Sequence, residues 1–104
     1  MKLEVGMYVR TRDGFLWKPK KIEIEEDNSV WFDDYYDFDV SDVKASHNII
    51  DLIEVGDYVN GFRVVYINHK YEYLEVSDEE YIINKEDIKT IVTKEQFESM
   101  SYKI

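Results

Sequence analysis

A chain of 104 residues, 44% hydrophobic and 15% aromatic, has enough apolar surface for one compact domain, or for two very small units that share a core. Its 23 acidic residues outnumber its 13 basic ones, and the net charge of −10 disfavours direct binding to nucleic acid or to anionic membranes. The chain contains no cysteine, which excludes disulfides, thiol chemistry and every cysteine-based metal site.

A short phrase near the start of the chain recurs in its middle. Glu4–Val9 reads EVGMYV and Glu54–Val59 reads EVGDYV, at an offset of 50 residues. Two shorter matches follow in the same order: Gly14-Phe15 with Gly61-Phe62, and Asp42–Lys44 with Asp87–Lys89. We therefore predict a first β unit over residues 1–48 and a second over residues 49–104, folding as one cooperative domain. A single continuous antiparallel sandwich, with the repeat a coincidence, is the alternative.

Short strands and tight turns dominate the predicted elements in chain order. The first unit has predicted strands over residues 5–12, 15–17 and 21–25 and a strand opening at Val30, and the second has strands over residues 58–59, 62–67, 71–76 and 81–83. Asn60-Gly61 is the strongest hairpin signal and predicts a type I′ turn. The apolar run Ile49–Val55 is predicted to be the core that the two units share.

Helix is scarce in this pattern. We expect short helical turns near residues 48–53 and 94–101, the second opened by a capping box over Thr93–Gln96. Several short strands per unit with glycine turns predict a mainly β fold: two tandem small SH3-like (Src-homology-3) half-barrels that arise from the internal repeat.

The stretch Glu23–Asp42 holds nine acidic residues and no lysine, arginine or histidine. Strand period predicts that its outer face carries Trp31, Asp33, Tyr35, Asp37 and Asp39. The opposite face is nearly all apolar and should be core, and it takes Phe32, Asp34, Tyr36, Phe38 and Val40.

Carboxylates on one strand face lie roughly 6.6 to 7 Å apart, close to the phosphate spacing of a nucleic acid strand, and interleaved aromatics are residues that anchor interfaces. The predicted partner-binding residues are therefore Trp31, Asp33, Asp34, Tyr35, Asp37 and Asp39. The alternative is a solvated acidic sheet face in which Asp33-Asp34 forms a hairpin turn and resets the register.

A basic patch in the first hairpin, made of Arg10, Arg12, Lys18, Lys20 and Lys21, is predicted to pair with neighbouring acids on the surface. Catalysis has little support, because His47 and His69 lie in different units and no nucleophile, phosphate-loop or zinc motif is present. Asp37-x-Asp39-x-x-Asp42 lacks the glycine and terminal glutamate of an EF-hand loop. We expect no enzyme activity, no cofactor and no dedicated metal site.

Two phrases carry a resemblance to a known group of proteins. Lys44–Gly61 (KASHNIIDLIEVGDYVNG) and Ile91–Met100 (IVTKEQFESM) resemble small uncharacterised proteins of phages and prophages in Firmicutes, whose openings resemble Val5–Thr11. The middle of each unit departs from that likeness.

The resemblance implies a counter-defence role in the cytoplasm of the bacterial host. The expected partner is a host defence protein, a CRISPR effector nuclease, whose basic nucleic-acid cleft an anti-CRISPR protein would occupy with an acidic surface. An SH3-like protein- or peptide-binding adaptor is the alternative function. No apolar run reaches the roughly 18 residues of a membrane span, so we expect no membrane association.

Overall fold

Three antiparallel sheets and one short α-helix make up the computed structural model, which describes residues 3–33, 35–78 and 81–100 but not the side chains of residues 35–37. The first half contains β1 (Tyr8–Thr11), β2 (Leu16–Trp17), β3 (Ile22–Ile24), β4 (Ser29–Phe32), β5 (Tyr35–Asp39) and β6 (Val43–Ser46). The second half contains β7 (Tyr58–Val59), β8 (Phe62–Asn68), β9 (Tyr73–Val76), β10 (Ile82–Asn84), β11 (Ile91–Val92) and α1 (Lys94–Met100). The mainly β prediction is confirmed.

Three short 3₁₀ turns complete the described part of the chain, at Val40–Asp42, Ile49–Leu52 and Lys85–Asp87. The second of these turns and helix α1 confirm the two helical predictions, except that residue 101 lies outside the described residues. Thr93 opens α1 as predicted, because its hydroxyl oxygen accepts the Gln96 N–H at 3.3 Å.

The strands pair in the same order in both halves. The second half forms one sheet, β11-β7-β8-β9-β10, and the first half forms β6-β1-β2 and β3-β4-β5. The difference is a break between β2 and β3, at the linker that contains Pro19. Proline has no N–H to donate, so ladder pairing stops there. The described strands do not close any sheet into a barrel.

The repeated phrase forms the same turn twice. Gly6 has φ +103° and Gly56 has φ +101°, a region that glycine adopts without strain. In the first copy the Met7 N–H donates to the Glu4 carbonyl at 3.3 Å, and in the second the Asp57 N–H donates to the Glu54 carbonyl at 3.0 Å.

Each half has its own apolar core. The first core is formed by Leu3, Val9, Val30, Phe32 and Val43, and the second by Ile50, Ile53, Val59, Val64, Leu74, Val76 and Ile83. The prediction that Ile49–Val55 forms a shared core is therefore wrong. Residues three apart in a 3₁₀ turn face the same side, so Ile50 and Ile53 both enter the second core, while Val55 is exposed.

A buried ion network joins the two halves. Arg10 on β1 is 2% exposed, and its guanidinium donates to both carboxylate oxygens of Asp57, which is fully buried. Arg10 also donates to the Leu52 carbonyl at 2.9 Å and to Glu95 at 2.8 Å. The Asp57 carboxylate further accepts the backbone N–H of Glu54 and of Lys94, so its lone pairs are satisfied.

This network corrects the predicted surface patch of basic residues. Arg10 belongs to the interior, where burial alone would lower the pKa of its guanidinium. The hydrogen bond and charge of Asp57, together with the charges of Glu54 and Glu95, outweigh burial and raise that pKa. Of the other members, Arg12 lies 3.8 Å from Asp42, and Lys21 lies 3.2 Å from Glu23. The predicted pairing with neighbouring acids is thus found on the surface for Arg12 and Lys21, whereas Lys18 lies over the ring of Tyr8 and Arg10 is not on the surface.

A close backbone approach adds a second tie between the halves. The Thr93 hydroxyl, just before α1, donates to the Gly14 carbonyl at 2.6 Å. A Cβ atom on Gly14 would lie 2.5 Å from the Thr93 hydroxyl oxygen and 2.7 Å from the Glu95 Cβ. Gly14 therefore has a packing requirement as well as a turn conformation, φ +89°.

The junction predicts a pH dependence of folding. Burial raises the pKa of Glu54, but the Lys94 hydrogen bond and the charges of Arg10 and Lys44 outweigh it, and the net shift is downward. A carboxyl with a lowered folded-state pKa stabilises the fold when ionised, and that stability is lost as pH falls through the folded pKa. Between neutral pH and about pH 3, the free energy of chemical unfolding should therefore fall by less in Glu54→Gln than in the wild type. An equal fall in the free energy of unfolding in the two proteins would contradict this. The matched control is Glu86→Gln, an exposed glutamate that should follow the wild type.

The Asn60-Gly61 turn generates a second prediction. Asn60 has φ +51° and Gly61 has φ +85°, and Val59 pairs with Phe62, so the predicted two-residue hairpin with positive φ at both positions is confirmed. No atom lies within 4 Å of a Cβ built on Gly61, so strain there is purely conformational. Gly61→Val should lower the free energy of unfolding by about 1 to 3 kcal/mol, and Gly61→Asn by clearly less. Equal losses for valine and asparagine in denaturant unfolding would show that positive φ is not the cause.

Candidate protein-interaction surface

The candidate surface is the three-stranded sheet β3-β4-β5, which begins with a tight β3–β4 hairpin. Ile22, Glu23 and Ile24 pair with Phe32, Trp31 and Val30. The turn between them has Asn28 at φ +68°, and the Asp27 carboxylate accepts both the N–H and the hydroxyl of Ser29. These short polar side chains favour a turn over a longer strand.

The second hairpin, β4–β5, turns at Asp33, which has φ +50°. Phe32 pairs with Tyr35, so the chain turns at Asp33 as the alternative interpretation expected, and Asp34 lies outside the described residues. A bulge between Val30 and Phe32 then shifts the register, and Val30 faces Phe38.

A two-residue turn alone would reverse the faces of β5, and the bulge reverses them again, so that Phe38 lies on the core side as predicted. Phe32 is fully buried, its ring centroid lies 5.9 Å from that of Phe38, and Val40 packs on the same cluster. The core prediction is confirmed for these three residues. Asp34 and the side chain of Tyr36 lie outside the described part of the chain.

Trp31 occupies the outer face of the sheet. It lies between the fully buried Val30 and Phe32, is itself half-buried, and stands opposite Glu23 on β3. Trp31, Asp33, Glu23 and Lys21 line one shallow depression. Tyr35 and Asp37 belong to β5, but their side chains are not described.

Two of the predicted interface carboxylates hold the local backbone. Asp33 is half-buried and accepts the N–H of Lys20 at 2.9 Å and of Lys21 at 2.8 Å, which fixes the linker next to Pro19. Asp39 is exposed and caps the 3₁₀ turn Val40–Asp42 by accepting the N–H and hydroxyl of Ser41. The sequence interpretation missed both roles, although a short acid two residues before a serine is the usual signal for the second.

The electrostatics of this sheet are one-sided. The exposed acids are Glu23, Glu25, Glu26, Asp27, Asp39 and Asp42. Hydrogen bonds from Ser41 lower the pKa of Asp39, and those from Ser29 lower the pKa of Asp27, so both stay ionised although they repel each other. The pairs Lys21–Glu23 and Arg12–Asp42 are exposed and offset little of this charge.

Two grooves lie apart from the depression at Trp31. The larger, of about 610 Å³, opens where the halves meet and is lined by Tyr8, Leu16, Trp17, Ile49, Glu72, Lys85, Glu86, Ile88, Lys89 and Ile91. A more apolar one of about 340 Å³ is lined by Phe15, Leu16, Trp17, Phe38 and Gln96. Sequence patterns gave no indication of either, because residues far apart in the chain form their walls.

The histidines form separate surface pairs. His47 contacts Glu4 at 2.6 Å and His69 lies 3.9 Å from Asp51, with both histidines exposed. Within residues 3–33, 35–78 and 81–100, no three histidine, cysteine or acidic side chains are grouped so as to hold a metal ion. In the same part of the chain, no helix has the length and apolar character needed to cross a membrane.

Comparison with protein families, with curated proteins and with solved structures found no match to this chain. The candidate surface therefore stands on its geometry and charge.

Proposed function

We propose that this chain is a phage-encoded inhibitor of a host defence system, an anti-CRISPR protein that binds the basic nucleic-acid cleft of a CRISPR effector nuclease. The observation that carries the proposal is the sheet β3-β4-β5, whose exposed acids extend over a stretch with no basic residue and whose outer face carries the half-buried Trp31 opposite Glu23. Inhibition of this kind needs no cofactor and no reaction, so the protein is not an enzyme in this account.

Two tandem SH3-like half-barrels are the architecture we propose for it. Supporting this are the shared strand order of the halves and the pairing of the last strand with the first, β6 with β1 and β11 with β7. A 3₁₀ turn precedes the last strand each time, and its C-cap N–H bonds back three residues, from Val43 to Val40 and from Ile88 to Lys85. Small barrels of this topology support many unrelated functions, so function rests on the surface.

Charge explains how such a surface would compete with nucleic acid. A net charge of −10 steers the protein towards a basic cleft and away from nucleic acid itself. Ionised carboxylates along the sheet would occupy phosphate positions, and Trp31 would add the desolvated aromatic anchor that interfaces use. The proposed contact residues remain Trp31, Asp33, Asp34, Tyr35, Asp37 and Asp39.

A second candidate function is an SH3-like adaptor that binds a peptide in the larger groove. Tyr8 and Trp17 line this groove together with isoleucines and four charged residues from the second half, and aromatic-lined grooves bind extended peptides. The two candidates differ in salt dependence. Binding through an acidic face should weaken steeply as the Debye length falls from about 10 Å at 0.1 M salt to about 3 Å at 1 M, and groove binding should not.

The deciding experiment measures inhibition of DNA cleavage by guide-loaded CRISPR effector nucleases from Firmicutes, together with binding by calorimetry. Asp37→Asn combined with Asp39→Asn should weaken binding about tenfold or more, because charge pairs and association rate are both lost. Asp33 is left unchanged because it fixes the β2–β3 linker, whereas asparagine at position 39 can still cap the 3₁₀ turn through its side-chain oxygen. Trp31→Ala should weaken binding by a similar factor.

The matched control removes the same charge from the second half, with Glu86→Gln and Asp87→Asn, and should retain affinity within about twofold. Full affinity in the Asp37/Asp39 variant would place the contact elsewhere. No binding to any such nuclease would overturn the proposed function.

A further inference from the structure

Strand β10 (Ile82–Asn84) is an open edge of the second sheet. It pairs with β9 on one side, and no described strand pairs with its other side. An edge strand directs alternate N–H and C=O groups away from its sheet, where they can pair with another chain. Proteins block such edges by keeping the edge strand short or by placing lysine, proline or a bulge within it. β10 has only three residues but contains no lysine, proline or bulge, so the segment that could pair with it is a short one.

Partly exposed apolar side chains lie beside this edge, and one of them, Tyr81, packs against Phe62 with 4.9 Å between the ring centroids. Ile82 is 55% exposed and Tyr81 is 43% exposed, while Ile83, the next residue of β10, is buried in the core. Ile82 pairs with Glu75 on β9, and Glu75 pairs with Tyr66 on β8, which is 49% exposed. The solvent face beside the edge is therefore a cross-strand row of Tyr66, Glu75 and Ile82.

Exposed acidic residues flank this edge on both sides. Asp78 precedes the strand, Glu86 and Asp87 follow it, and all three are exposed. The lysine of the same segment, Lys85, is paired with Glu72 at 3.0 Å. An extended segment lying along β10 would thus meet partly exposed apolar side chains in its middle and negative charge near both ends.

We propose that β10 is a strand-addition site for an extended segment of a partner protein, with apolar residues at its centre and basic residues at both ends. Main-chain hydrogen bonds to the open edge would give affinity, and Ile82, Tyr66 and the flanking acids would give selectivity. This site lies in the other half of the chain from the acidic sheet, and it stands or falls independently of the proposed function.

The test uses the full isotope-labelled protein and a blocked peptide with two lysines at each end and alternating threonine and valine between them. Amide chemical-shift changes should centre on Tyr81–Asn84. The same peptide N-methylated at its valines should lose binding, because it cannot form the strand hydrogen bonds, and a version with glutamate for lysine should bind about tenfold more weakly.

Variants of the protein complete the test. Ile82→Lys places a positive charge and no apolar surface at the edge, and should weaken peptide binding about tenfold. Val65→Lys is the matched control, since Val65 is 47% exposed on the interior strand β8, and it should bind within about twofold of wild type. If Ile82→Lys does not fold, the comparison of the two peptides on wild-type protein still tests the proposal. Shift changes centred on the β3-β4-β5 sheet, undiminished binding of the N-methylated peptide, or no binding at all would overturn the proposal.

Discussion

The buried pair Arg10–Asp57 is the interaction on which the rest of the structure depends. A guanidinium that is 2% exposed cannot lose its proton at ordinary pH, so it must be matched by acid, and Asp57, Glu95 and Glu54 surround it from the second half. Lys94 and Lys44 in turn contact Glu54. Three positive and three negative groups thus form one network that spans the junction.

This polar junction decides how two very small units become one folded chain. Units of about 50 residues bury little apolar surface, and here each half has a separate core of five to seven buried residues. The network ties the halves together where the turn Ile49–Leu52, with Leu52 buried, lies against β1 and β6. The Gly14–Thr93 contact is a further tie. The acidic sheet and the β10 edge lie in different halves, so the junction also sets the position of each candidate surface relative to the other.

Local features were more predictable from the sequence than long-range ones. Asn60-Gly61 reveals its turn because positive φ is a property of the residue and its neighbours. Gly6, which falls within the strand predicted over residues 5–12, instead forms a turn before β1. The burial of Arg10 was missed because its partner lies 47 residues away, and the register of β5 depends on a bulge that strand period does not show. One signal was available: the repeated phrases differ only at Met7 and Asp57, and that acid is the partner of Arg10. On the candidate surface, the buried and outer faces at Trp31 and Phe32 followed from period two, whereas the backbone role of Asp33 did not.

The most direct measurement is a double-mutant cycle of denaturant unfolding with Arg10→Met, Asp57→Asn and the combined variant. Each single change leaves a buried charge or polar group without its partner and should lower the free energy of unfolding by roughly 3 to 5 kcal/mol. The combined variant should lose less than the sum, with a coupling energy of roughly 1 to 3 kcal/mol. Strictly additive losses, or single variants as stable as the wild type, would contradict the claim that this pair holds the two halves together.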